Sequence, residues 1–73
     1  MSNKYKIIRS INYPEGLTGM LLSGVKVKIL GEREILLENG VTQHIYIFVE
    51  YDKFNNVVGR EKSIYKSGIT LLN

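Results

Sequence analysis

Eleven residues, Val41 to Tyr51, leave this chain few ways to fold. Val-Thr-Gln-His-Ile-Tyr-Ile-Phe-Val-Glu-Tyr is almost entirely β-branched or aromatic. Such residues fit a pleated, half-buried surface. Asn39-Gly40 precedes the run and Asp52-Lys53-Phe54-Asn55-Asn56 follows it, so both ends carry turn chemistry. The run is expected to be the central strand of a small sheet. The rest of the chain agrees. It contains no alanine, the best helix former, and its seven glycines divide it into pieces too short for a capped helix.

The first expected strand is Tyr5 to Ile11, closed by Asn12-Tyr13-Pro14-Glu15-Gly16, where Pro14 lacks a ladder donor. Leu17 to Gly24 reads as a loop, an irregular strand or a single helical turn. Its Gly16-Leu17-Thr18-Gly19 matches the GxxG loop that KH domains use, but the helices needed on both sides are missing. Val25 to Leu30 alternates cleanly, with Val25, Val27 and Ile29 inward and Lys26 and Lys28 outward. Gly31-Glu32 is expected to turn, and Arg33 to Leu37 to form the next strand. Val57 to Lys66 returns from the turn at Lys53 to Asn56. After a turn at Ser67-Gly68, Ile69 to Leu72 should close onto the first or second strand.

The Asn39-Gly40 corner sets a register. A two-residue loop would put Glu34 opposite Ile45, in the row of Ile47 and Val49. A three-residue loop, Glu38-Asn39-Gly40, instead puts Leu37 opposite Val41, Ile35 opposite Gln43 and Arg33 beside Ile45. A one-residue slip exchanges the faces of a whole strand, so burial selects the second arrangement, with Gly40 left-handed. Ile45, Ile47 and Val49 then point inward, and His44, Tyr46, Phe48 and Glu50 point away. Two readings of Tyr46 and Phe48 follow. Either the sheet is covered on both faces and they are core, as their size favours, or they form a contact surface. A five-residue loop from Asp52 to Asn56 would set Arg60 opposite Phe48 and Lys62 opposite Tyr46. It would also set Glu61 opposite Ile47, which a bulge near Gly59 relieves.

The fold class expected is all-β: a strongly curled antiparallel sheet, or a small barrel that resembles the SH3 type in architecture, of five to six short strands. At 73 residues the whole of 1–73 makes one domain with a modest core. There is no cysteine, hence no disulfide, thiolate nucleophile or cysteine zinc site. No apolar run reaches signal-peptide or membrane-spanning length, and a cytoplasmic setting without membrane contact is expected.

The chemistry expected is binding rather than catalysis. His44 is the single histidine, so no imidazole pair exists, and it should lie beside Glu34 as a cross-strand partner. The seven carboxylates, Glu15, Glu32, Glu34, Glu38, Glu50, Asp52 and Glu61, mostly sit beside basic residues or in turns. There is no phosphate loop or dinucleotide fingerprint, and a chain this small has little room for a substrate pocket. No cofactor, metal or small-molecule substrate is expected. The charge of +3 and pI of about 9.3 permit an acidic partner without demanding one.

Two functions stand side by side. In the first, Lys26, Lys28, Arg60, Lys62 and Lys66 neutralise phosphates while Tyr46, Phe48 and Phe54 stack bases, making a nucleic-acid-binding module. In the second, an aromatic face or open sheet edge binds another protein, as a regulatory or inhibitory adaptor. The lysine, asparagine and isoleucine content resembles that of an AT-rich bacterium or its phage, and the partner would then be a host protein. A homodimer pairing exposed aromatics across a two-fold axis is compatible with either.

Overall fold

The computed structural model describes residues 4–72. Five strands form one antiparallel sheet: β1 (Tyr5–Leu21), β2 (Lys26–Leu37), β3 (Thr42–Tyr51), β4 (Val57–Tyr65) and β5 (Ile69–Leu71). A single 3-10 turn, Lys66–Gly68, joins β4 to β5. The spatial order is β4-β3-β2-β1-β5. That order forces curvature. A flat sheet would hold β4 and β5 about 19 Å apart, four strand spacings of about 4.8 Å. The step from Tyr65 to Ile69 spans at most about 14 Å even when fully extended. The sheet therefore rolls into a strongly curled half-barrel, and the short connection crosses its hollow side.

The turn behind Asn39 has the three-residue form. Leu37 N–H donates to Val41 O at 2.9 Å, Gly40 N–H donates to Leu37 O at 3.0 Å, and Gly40 takes the left-handed φ of 84°. Asn39 holds the corner by accepting the Val41 N–H at 3.0 Å. The register is the one burial selects: Ile35 opposite Gln43, Arg33 opposite Ile45 and Glu34 opposite His44.

Two expected breaks are absent. Gly31-Glu32 does not turn; β2 runs straight through it. Asn12 to Gly16 does not end β1, because Tyr13 to Gly16 swell out of the ladder between Asn12↔Gly31 and Leu17↔Ile29 and pairing then resumes. Pro14 sits in that swelling, where no ladder donor is required. The first two strands are consequently long rather than short, 17 and 12 residues. Leu17 to Leu21 is strand, and the following turn, not a helix, is closed by Gly24 N–H on Leu21 O.

One inserted residue decides which side of β3 meets the main core. Ile29 pairs with Phe48 but Gly31 pairs with Ile47, so Leu30 is a bulge. An extra residue swaps the faces of everything beyond it. The expected inward row of Ile45, Ile47 and Val49 therefore does not meet Val27 and Ile29. Tyr46 and Phe48 do, and with Ile69 these five residues form the central cluster. Ile45, Val49 and Ile35 are buried too, on the other face, while Ile47 is half-buried. Both faces of β3 are thus covered, which is what the size of the two aromatics favours.

The last hairpin also differs from its expected register. Asp52 N–H donates to Asn56 O at 2.8 Å, leaving a three-residue tip, Lys53-Phe54-Asn55, with Asn55 at φ 65°. A bulge at Gly59 to Glu61 follows. Lys62 faces Phe48, not Tyr46, and Ser63 rather than Glu61 faces Ile47.

Candidate functional site

Neighbouring residues on a strand point to opposite sides of the sheet. Lys28 pairs with Val49, and Lys62 pairs with Phe48. The two lysines are therefore on opposite faces. Lys26 shares the Lys28 side, where its Nζ lies 5.5 Å from the Tyr51 ring centroid and donates to Asn55 Oδ1 at 3.4 Å. Lys28 lays its methylene stem across Gly16. Lys62 binds Glu50 at 3.0 Å, and Lys66 binds Glu32 at 3.1 Å. Arg60 stands in the exposed bulge of β4. The five cations do not converge on one surface, and two are neutralised by carboxylates. Of the three aromatics, Tyr46 and Phe48 are only 6% and 3% exposed, whereas Phe54 protrudes from its turn.

The hollow side carries a polar cluster that sequence reading does not assemble. Glu32 accepts a hydrogen bond at Oε1 from Tyr13 Oη at 2.9 Å and one at Oε2 from Lys66 Nζ at 3.1 Å, and His44 Nδ1 lies 3.7 Å from that same Oε2. The Lys66 ammonium also sits 5.4 Å from the Tyr46 ring centroid. These residues come from β1, β2, β3 and the 3-10 turn, so no local spacing betrays them. Burial alone would raise the Glu32 pKa. The hydrogen bonds from Lys66 and Tyr13, with the charges of Lys66 and His44, outweigh it and hold the carboxyl below its ordinary 4.5. Burial, then the neighbouring Glu32, raises the Tyr13 phenol. The hydrogen bond to Glu32 raises Lys66 against its partial burial.

The cluster ties the crossing turn to the sheet. Among the described residues no group of three His, Asp or Glu side chains is placed to hold a metal ion. A carboxyl whose folded pKa is depressed stabilises fully above its unfolded pKa, and that stability is lost as pH falls through the folded value. The urea midpoint of the native chain should therefore drop below about pH 4.5, the ordinary value for this carboxyl. Glu32→Gln should flatten that acid slope and cost about 1 kcal/mol at neutral pH. An unchanged acid slope in Glu32→Gln would deny the cluster this role.

The opposite face holds an open, partly apolar surface. Tyr5 pairs with Leu37 and Ile7 with Ile35, while Ile45 pairs with Tyr65, and all six share this side. Ile35 and Ile45 form the buried floor of an open groove of about 870 Å³, with Tyr5, Leu37 and Tyr65 on its walls. Tyr5, Ile7 and Tyr65 are each about half exposed. Beside the groove runs β4, nine residues long, which pairs with β3 alone among the described residues. Comparison with family models, curated proteins and solved structures finds no match to this chain.

Proposed function

We propose that the chain is a non-enzymatic adaptor that binds another protein by accepting an extended segment along β4. The observation that carries this reading is the pairing of an unpartnered edge with an apolar groove on the same side. Strand addition uses both: the edge supplies main-chain hydrogen bonds, and the groove takes alternate side chains of the added segment. Half-exposed Tyr65, on β4 itself, would be covered by it.

A second copy of the chain is a poor occupant. A two-fold antiparallel pairing centred on β4 sets Glu61 against Glu61 and Arg60 against Lys62. Like charges directly opposite destabilise a strand pair, and charged edge residues of this kind block self-association. The homodimer expectation therefore finds no support at this edge. A foreign strand with acidic residues facing Arg60 and Lys62 meets no such conflict. The nucleic-acid reading keeps its positive charge but loses Tyr46 and Phe48 as stacking platforms, since both are core.

The test is capture from a lysate by the 73-residue chain, with and without nuclease, beside Tyr65→Asp and Ser63→Pro. Tyr65→Asp charges the groove wall, and Ser63→Pro perturbs the edge. The adaptor reading expects a protein that survives nuclease and is lost, at least about tenfold, with both variants, as hot-spot truncation does. Capture that disappears with nuclease, and whose affinity falls steeply with added salt, would instead establish the nucleic-acid reading.

A further inference from the structure

Alternating strand directions bring two turns to the same end of the sheet. Leu22-Ser23-Gly24 links β1 to β2, and Lys53-Phe54-Asn55 links β3 to β4. The bond from Lys26 Nζ to Asn55 Oδ1 connects the two turns. At their tips stand the two most exposed large apolar side chains of the described residues, Leu22 at 84% and Phe54 at 70%. Val57, half exposed, begins β4 beside them.

Two lysines and Asp52 set the charge at this end. Lys53 Nζ lies 5.3 Å from the Phe54 ring centroid and Lys26 flanks Tyr51. Among the described residues neither lysine has a carboxylate within 4.0 Å. The one carboxylate in the Lys53 turn, Asp52, is turned back on its own backbone, where Oδ1 accepts the N–H groups of Phe54 and Asn56 at 2.8 and 2.9 Å. Glu50 is occupied by Lys62. Two exposed apolar tips beside lysines that form no salt bridge match the layering of an anionic bilayer surface. Apolar side chains enter the boundary between headgroups and acyl chains, and lysines stay at the depth of the phosphates. A single-stranded nucleic acid matches less well, because Leu22 offers no ring for a base and Phe54 is alone.

We infer that this end of the half-barrel docks on anionic lipid, with Leu22 and Phe54 inserted and Lys26 and Lys53 on the headgroups. The contact is peripheral; no helix among the described residues is long and apolar enough to cross a membrane. It leaves the groove free, because Tyr5 and Tyr65 lie toward the opposite end, near the Glu38 to Gly40 turn. A docked chain would thus hold its groove away from the lipid.

The chain has no tryptophan, so Phe54→Trp supplies a clean reporter. Mixed with vesicles of phosphatidylcholine containing about one-third phosphatidylglycerol, its emission should shift to the blue, and native chain should sediment with them. Pure phosphatidylcholine should bind at least about tenfold less, as expected where two lysines contribute through the surface potential. Leu22→Ser with Phe54→Ser should reduce sedimentation at least about tenfold while leaving the melting temperature unchanged, since both side chains are exposed. Tyr65→Asp should bind vesicles normally, which separates this surface from the groove. No binding of native chain to anionic vesicles, or binding that ignores the double substitution, overturns the inference. So does a single-stranded oligonucleotide that binds more tightly than the vesicles and depends on Phe54.

Discussion

Phe48→Ala should cost about 3–5 kcal/mol and lower the urea midpoint more than any surface substitution in this chain. The ring is 3% exposed and packs in the same cluster as Val27, Ile29, Tyr46 and Ile69. Truncating a buried phenylalanine costs about 3–5 kcal/mol, the lost transfer energy plus the cavity left behind. Natural domains hold roughly 0.05–0.15 kcal/mol per residue. With 73 residues that is about 4–11 kcal/mol in total. One substitution therefore removes a large share. The same change at Phe54 should alter the unfolding free energy by less than about 0.5 kcal/mol, because that ring protrudes from its turn. Circular dichroism during urea titration reads both. Equal and small effects would mean that Phe48 is not core.

Gly31→Ala is expected to destabilise by about 1–3 kcal/mol, a large effect for one methyl group. A Cβ at this position would stand 2.8 Å from Ile11 O and 2.8 Å from Arg33 Nη1, and 3.2 Å from Asn12 Oδ1. The Ile11 oxygen is backbone of the neighbouring strand, so it can retreat only if β1 moves. The Arg33 guanidinium is held by hydrogen bonds to Ile11 O and Glu32 O at 3.2 and 3.0 Å, and the added methyl disturbs both. Gly31 adjoins the Leu30 bulge and faces the swelling of β1, so strain here acts where the sheet bends. Gly24→Ala provides the contrast, since a Cβ there meets nothing within 4 Å and only its left-handed φ of 93° opposes the change. A Gly31→Ala variant that melts with the native chain would show that the two strands are not pressed together at this point.

The all-β class and the central register were legible because they rest on local chemistry. Asn39-Gly40 allows only a few turns, and the row of apolar residues beside it rejects all but one. What sequence could not supply was the count of residues between that turn and Ile29. Nothing in Ile29-Leu30-Gly31 marks Leu30 as supernumerary. The bulge becomes visible only when the partner strands are aligned on both sides, and it reverses which face of β3 meets Val27 and Ile29. Pro14 was read as a stop because its missing donor forbids a ladder bond, yet an unpaired swelling satisfies the same rule without ending the strand. The Tyr13, Glu32, His44 and Lys66 cluster was invisible for a third reason. Its members lie 19 and 34 residues apart in the chain for the two hydrogen bonds that define it. The groove follows from the bulge. Once Tyr46 and Phe48 take the hollow side, the contact surface must be sought on the other face, around Tyr5 and Tyr65.

Solvent relaxation enhancement by a soluble paramagnetic agent, read on the aromatic ring protons of the native chain, probes both faces at once. The inward aromatic row requires the Tyr46 and Phe48 rings to be protected while those of Tyr5, Phe54 and Tyr65 are strongly attenuated. Attenuated Tyr46 and Phe48 signals beside protected Tyr5 and Tyr65 would mean that β3 is turned the other way, and the groove with it.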